Sequence, residues 1–236
     1  MSGHNKWSKI HRQKSVADSK KGALFTKLGN TITMAAKIGG GDPDTNFQLR
    51  LAIDKAKQIS MPKDNIERAV KRGTGELEGG SIEEILYEGY GPGGTAFLIE
   101  ALTDNRNRTS SEIKHLLTKH GGSLGAPGSV IWMFDKKGVI RIKNINDGLQ
   151  LELIDLGALD FEKDEDGVTV YSTPNDLQKI KDFLDQKNTQ IELAQIEWAP
   201  QDIKKVSLAE KEILQKIFTA LEDSEDINNY YTNTDA

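Results

Sequence analysis

The order in which two hydrophobic periods follow one another restricts the fold of this chain more than any composition figure. Helical spacing comes first. Leu24, Phe25, Leu28, Ile32 and Met34 to Ala36 form an apolar stripe over 21–38, ended by Gly39-Gly40-Gly41-Asp42-Pro43. A second helix fits 45–59, with Asp44 as its expected cap and Phe47, Leu51, Ala52 and Ala56 turned inward. A third begins at Pro62, whose missing N–H costs nothing in a first turn, and runs to Arg72, with Gly73 as the expected stop. Before these helices, Met1 to about Ser19 carries little apolar periodicity and reads as an arm.

After a linker at 76–81 (ELEGGS) the pattern changes to strands. Segments 83–90 and 95–102 are apolar runs joined by the hairpin signal Gly91-Pro92-Gly93-Gly94. Segment 109–120 is amphipathic and helical, 121–128 is a glycine-rich loop, and 130–134, with Trp132, reads as a strand. Then comes a strand at 139–142, a helix at 147–156, and strands at 160–163 and 168–171 around Asp166-Gly167. A helix at 174–186 and a strand at 191–198 complete a β-α-β-β-α-β order, the split ferredoxin-like pattern. A helix at 208–222 and a strand at 227–231 remain, and the earlier strand-strand-helix-strand block lacks just such a pair. The expected fold is α+β with three domains: a basic arm and three-helix bundle (1–78), a middle α/β domain (79–132 plus 201–236), and an inserted ferredoxin-like α/β domain (133–200).

Charge is shared unequally between these parts. Residues 1–75 hold 15 Lys and Arg against 6 Asp and Glu, a net of +9, whereas the remainder holds 16 against 30, a net of −14. An overall pI near 5.5 does not suit a polyanion partner, but a strongly basic first third can still offer phosphates a local positive surface. The absence of cysteine excludes disulfides, thiolate nucleophiles and Cys-ligated metals. No apolar run approaches the roughly 20 residues that span a bilayer, and the polar, basic N-terminus lacks a signal-peptide core. A soluble, cytoplasmic protein with no membrane partner is expected.

Short motifs that suggest chemistry read better as turns. Gly89-Tyr90-Gly91-Pro92-Gly93-Gly94 matches a dinucleotide pattern but lies between two strands, and Pro92 removes a needed N–H. Gly121-Gly122-Ser123-Leu124-Gly125 matches a nucleophile elbow but follows a helix and precedes a strand, the reverse of an elbow. Asp164-Glu165-Asp166-Gly167 resembles a calcium loop without the closing Glu. No catalytic residue, cofactor, metal or small-molecule substrate is assigned.

The cations of the first third are a different matter. Lys6, Lys9, Arg12, Lys14, Lys20, Lys21 and Lys27 fall within 27 residues against the single acid Asp18. His11 belongs to the same cluster, and Trp7 could stack on a base. Arg68, Lys71 and Arg72 form a cationic last turn on the third helix, and Arg106 and Arg108 lie at a loop-to-helix junction. These residues are the candidate nucleic-acid contacts. The competing reading is that Arg68, Lys71 and Arg72 merely offset the helix dipole while the arm is solvated.

Several long words carry a family likeness. They are Gly3-His4 with Lys6-Trp7, Phe25-Thr26-Lys27-Leu28, Gly39-Gly40-Gly41-Asp42-Pro43, Ala52-Ile53-Asp54-Lys55-Ala56, and Met61-Pro62-Lys63-Asp64-Asn65-Ile66-Glu67-Arg68. Tyr87-Glu88-Gly89-Tyr90-Gly91-Pro92-Gly93-Gly94, Thr103-Asp104-Asn105-Arg106-Asn107-Arg108-Thr109 and Gly121-Gly122-Ser123-Leu124-Gly125 continue in register. On these residues the chain resembles the YebC/PmpR family over about 3–135, and more weakly but colinearly beyond. The resemblance implies a three-domain α/β protein with a helical first domain and two ferredoxin-like domains. It also implies a cytoplasmic regulator of gene expression and not an enzyme. Bacterial relatives are described as DNA-binding transcriptional regulators, the mitochondrial relative as a translational activator, and some bacterial relatives as acting on stalled ribosomes. DNA or ribosomal RNA, and with it the ribosome, are the partners this implies. One position departs from the pattern: where relatives carry a Lys/Arg-His-Arg-Lys cluster after the Trp, this chain has His11-Arg12-Gln13-Lys14, with one fixed charge fewer.

The acidic remainder also allows a protein-interaction role, with residues 144–236 suited to a basic partner.

Overall fold

The computed structural model describes residues 18–78 and 81–236, with side chains from Gly22 onward. They form two compact units. One is Phe134–Gln201, and the other joins the described residues up to Met133 with Asp202–Ala236.

The larger unit opens with three helices, α1 (Asp18–Gly39), α2 (Phe47–Gln58) and α3 (Lys63–Gly73). They close on Leu28, Ile32, Ala36, Leu49, Ala52, Ala56, Met61, Ile66 and Ala69. The cap of α2 is Asn46, not the expected Asp44. The buried Asn46 amide accepts from the Leu49 N–H at 3.1 Å and donates to the Ala35 and Gly40 carbonyls at 2.8 Å. One side chain thus caps α2 and binds the end of α1, which Asp44 is too far out to do. Gly73 is not the stop of α3 either. A Cβ there would lie 2.3 Å from the Thr33 carbonyl and 2.7 Å from the Ala36 Cβ, so glycine allows α1 and α3 to touch. The helix ends at Thr74, and Gly75 takes the left-handed conformation (φ +80°).

The rest of the fold, in chain order, is β1 (Glu83–Tyr90), β2 (Ala96–Thr103), α4 (Arg106–Lys119), β3 (Ser123–Leu124), β4 (Phe134–Ile142), α5 (Asp147–Asp155), β5 (Ala158–Asp164), β6 (Gly167–Ser172), α6 (Leu177–Gln186), β7 (Ile191–Pro200), α7 (Leu208–Asp223) and β8 (Ile227–Thr232). In the larger unit the antiparallel sheet runs β3-β1-β2-β8, so the C-terminal strand returns to pair with β2, Phe97 opposite Thr232. One face packs Tyr87, Phe97, Ile99 and Ala101 against Ile113 and Leu117 of α4 and Leu214, Ile217, Phe218 and Leu221 of α7. Phe218 stacks on Tyr230 at 5.3 Å.

The opposite face meets the helices through a mixed seam. Met34 packs with Ile82 and Leu102, while Lys37 donates to the Ile82 carbonyl at 3.1 Å and Thr31 to Asn228 at 3.0 Å. Burial pushes the Lys55 amine down, opposed by the Glu100 carboxylate, which accepts from Asn229 (3.1 Å) and Tyr231 (3.2 Å). These contacts fasten the helices to the sheet within one compact unit.

The smaller unit has the sheet order β5-β6-β4-β7, the ferredoxin-like arrangement for a β-α-β-β-α-β chain. Ile140, Ile142, Leu153, Val170, Leu177, Ile180 and Leu184 are buried in it. Its two ends are neighbours, with Phe134 paired to Pro200. It is therefore the insertion that the element order predicted, entered and left on adjacent strands. The middle domain has the same kind of sheet but begins with a hairpin.

The strand expected at 130–134 is a correction. Ile131–Met133 is a single 3-10 turn, and only Phe134 enters a strand. The cause is Glu88, buried on β1 beside Leu98 of β2. Its carboxylate accepts from the N–H groups of Gly128 (2.5 Å), Val130 (2.7 Å) and Ile131 (2.8 Å). Those donors curl around an anion, so no ladder forms.

Among the described residues no helix is long and apolar enough to cross a membrane.

Candidate nucleic-acid interface

The cations expected to touch phosphate fall into three groups once the chain is folded. Lys6, Trp7, Lys9, His11, Arg12 and Lys14 lie outside the described residues, and Lys20 and Lys21 are in the first turn of α1, their side chains undescribed.

Arg68, Lys71 and Arg72 form the outward group. At spacings of three and four they share the surface of the last turn of α3, and all three are exposed. None makes an ion pair among the described residues, whereas Lys63 at the other end of the helix pairs with Glu67 at 3.3 Å. Ile66 and Ala69 hold the opposite side of α3 in the core, which fixes the direction in which the cations point. Arg106, at the start of α4, is also exposed, and its carbonyl accepts from the Tyr87 hydroxyl at 3.1 Å.

Lys27, half-buried, and Arg108, exposed, form the group that has partners within the fold. Lys27 donates to the Glu222 carbonyl at 2.6 Å. Burial lowers its amine to about 8, a fall that Glu222, Asp223 and Glu225 only partly offset. It fastens α1 to the end of α7. Arg108 grips Asp226, with Nη2 at 2.9 Å and Nε at 3.2 Å, and reaches Asp104 at 3.0 Å. The Thr109 hydroxyl joins the same carboxylate at 2.7 Å, and the Asp226 carbonyl accepts from the Leu102 N–H at 2.9 Å. The word Thr103-Asp104-Asn105-Arg106-Asn107-Arg108-Thr109 is thus a helix start, capped by Asn105, that clamps the chain entering β8. Lys27 and Arg108, both expected to touch phosphate, thus have partners within the fold, and Arg108 keeps an exposed side chain beside its carboxylates.

The glycine words pack against each other. A Cβ on Gly122 would lie 2.3 Å from the Tyr90 carbonyl, and one on Gly89 3.0 Å from the Ser123 carbonyl. They bring β3 against β1, with Tyr90 opposite Ser123. Ser123 sits exposed on that two-residue strand, not on a strand-to-helix turn. Among the described residues no three His, Asp or Glu side chains are grouped to hold a metal ion.

Sequence reading missed Glu88. Burial alone would raise its carboxyl, but the N–H groups of Val130, Gly128, Ile131 and Ser129 outweigh burial and hold it below its ordinary value. The available signal was its period: Leu86 and Glu88 fall on one face of β1, so the acid takes a position that alternation marks as covered.

Two family models span nearly all of the chain. The TACO1/YebC N-terminal domain matches residues 5–76, and the TACO1/YebC second and third domains match residues 82–234. A probable transcriptional regulatory protein of Thermoanaerobacter pseudethanolicus is 46% identical over 239 residues, covering 100% of this chain and 97% of the relative. Its counterpart in Geobacter sulfurreducens is 49% identical over 237 residues, covering 100% and 96%. The crystal structure of a conserved hypothetical protein from Aquifex aeolicus superposes with a TM-score of 0.85 at 41% identity, over 94% of this chain and 93% of that one. Full-length identity, matched models for every domain and a shared fold agree: the chain belongs to the TACO1/YebC family.

Proposed function

We propose that this protein is a cytoplasmic, non-enzymatic regulator that binds the phosphate backbone of a nucleic acid through its basic first third. The observation that carries the reading is the exposed cationic end of α3, where Arg68, Lys71 and Arg72 stand together without an ion-pair partner among the described residues. A dipole role alone would be served by one such residue in the last turn. The arm residues Lys6, Trp7, Lys9, His11, Arg12 and Lys14, with Lys20, Lys21 and Arg106, extend the proposed contact. The names of the relatives support regulation of transcription, which makes duplex DNA the first substrate to try.

Arg and Lys contacts to phosphate position a protein without reading bases. The same surface therefore suits ribosomal RNA, and the net of −14 on the remainder confines phosphate contact to the basic first third. The test is titration of labelled duplex DNA, with ribosome co-sedimentation in parallel, as salt is varied. Each phosphate contact adds about 0.9 to the salt slope, so replacing Arg68, Lys71 and Arg72 by Ala should flatten it by about 2–3 and leave the melting temperature in place. Wild-type affinity and slope in that variant, and in one lacking Lys6, Lys9, Arg12 and Lys14, for both DNA and ribosomes, would end the reading. Salt-resistant binding to ribosomes with weak, sequence-blind binding to DNA would move it from transcription to translation.

A further inference from the structure

The smaller unit leaves large apolar side chains in solvent at one corner. Leu151 (64% exposed) and Ile154 (47%) stand one turn apart on α5, and Leu159 (64%) follows on β5. Three of the eight large hydrophobic side chains left exposed among the described residues therefore fall within nine positions. An exposed leucine alone means nothing, but a group on one helix-strand corner is what an unpartnered contact surface looks like. Nor is this corner uncovered for want of a core. The inner side of α5 puts Leu153 fully inside, and Ala158 is buried at the start of β5.

The surroundings say what would cover it. Residues 147–166 carry eight acids against the single Lys163, a net of −7. The whole of 134–201 carries fourteen acids against eight bases, a net of −6, so its excess of negative charge is concentrated here. Lys187 pairs with Glu152 at 3.0 Å and Arg141 is bound to Asp164, but Asp147, Asp155 and Asp160, in the same stretch of chain as the exposed apolar side chains, are themselves exposed. The strand is an edge of its sheet, with a break in register between Ala158 and Asp160 that disfavours pairing with another strand. A nucleic acid or an anionic membrane is repelled by such a corner, and a second copy would bring like charges together.

We infer that the α5–β5 corner is a docking site for a basic amphipathic segment of a partner protein. Leucine and isoleucine of one helical face would cover Leu151, Ile154 and Leu159, and Lys or Arg flanking that face would meet Asp147, Asp155 and Asp160. This gives the smaller unit a protein-binding role of its own, and it does not depend on which nucleic acid the basic first third holds.

The probe is a labelled amphipathic peptide of about 18 residues, Leu on one face and Lys on the other, titrated into the full chain at about 0.15 M salt. A matched Leu/Glu peptide is the comparison. Binding of the Lys peptide alone is expected, with amide shift changes confined to 147–164. The Leu151→Ser/Leu159→Ser double variant should weaken it roughly tenfold, while Leu208→Ser, at a still more exposed leucine in the other unit, should leave it unchanged. Unaltered affinity in the double variant, or shifts spread over other acidic surfaces, would show charge attraction without a site and overturn the proposal. A dimer in sedimentation that the double variant dissociates would overturn it in favour of self-association.

Discussion

At Glu88 one carboxylate sets the course of a loop forty residues away. Its buried charge is tolerated because backbone N–H groups of 128–131 surround it, and it turns an expected strand into a tight turn. Replacing it with the isosteric Gln should cost about 3 kcal/mol at neutral pH, because an amide presents one acceptor and an N–H₂ group to a set of donors. The carboxyl is held below its ordinary 4.5, so this stabilisation is complete above that value and is lost as pH falls from there through the lower value of the folded state. The gap between wild type and Glu88→Gln in urea denaturation should therefore close in acid; a gap independent of pH would place its origin elsewhere. Single residues were the least legible scale. Asp44 and Asn46 are both good caps by type, and only the proximity of Ala35 and Gly40 selects Asn46. Gly73 looks like a stop because it follows a cationic turn, yet its lack of a Cβ serves the neighbouring helix.

Elements were far more legible, because period and caps are local. Of the four helices of the middle and inserted domains, those at Asp147 and Leu208 begin where spacing put them and those at Arg106 and Leu177 begin three residues away, and β1 matches 83–90. Misses occur where a partner decides. Strand β4 was expected only from 139, and the charged Asp135-Lys136-Lys137 before it belongs to the same strand. That half of β4 pairs with β7 alone, and β6 joins at Gly138, so its charges sit at an edge and remain solvated. The docking of α1 shows the same limit. Lys27 belongs to a cationic run in sequence but reaches the end of α7 in space. Its amine titrates near 8 when folded against 10.5 in the open chain, so the unfolded state holds more protons between those values and stability rises with pH across that window. Relative to Lys27→Met, wild type should gain up to about 3 kcal/mol between pH 8 and 10.5. Parallel stability curves for the two would contradict the burial of this amine. Arg68, Lys71 and Arg72 show no such shift of role, which is why the salt-slope experiment is aimed at them.

On the scale of the whole chain, an insertion entered and left on paired strands should be removable. Phe134 and Pro200 are register neighbours, so a short Gly-Ser link from Met133 to Gln201 spans a gap that the fold already closes. The shortened chain should unfold in one cooperative transition, retain its salt-dependent nucleic-acid binding and lose the Leu/Lys peptide. Loss of cooperativity would mean that the larger unit depends on the smaller for its stability. The element order and the division of charge were legible without coordinates, because hydrophobic period and net charge are sums over neighbouring residues that no distant contact can reverse. Which cations find partners within the fold was not. By residue type Lys27 and Arg108 look like Arg68 and Arg72, and only the return of Glu222 and Asp226 in space engages the first pair, while the second makes no ion pair among the described residues. That sorting is a property of residues more than a hundred positions apart, and it exists only once the chain has closed its sheet.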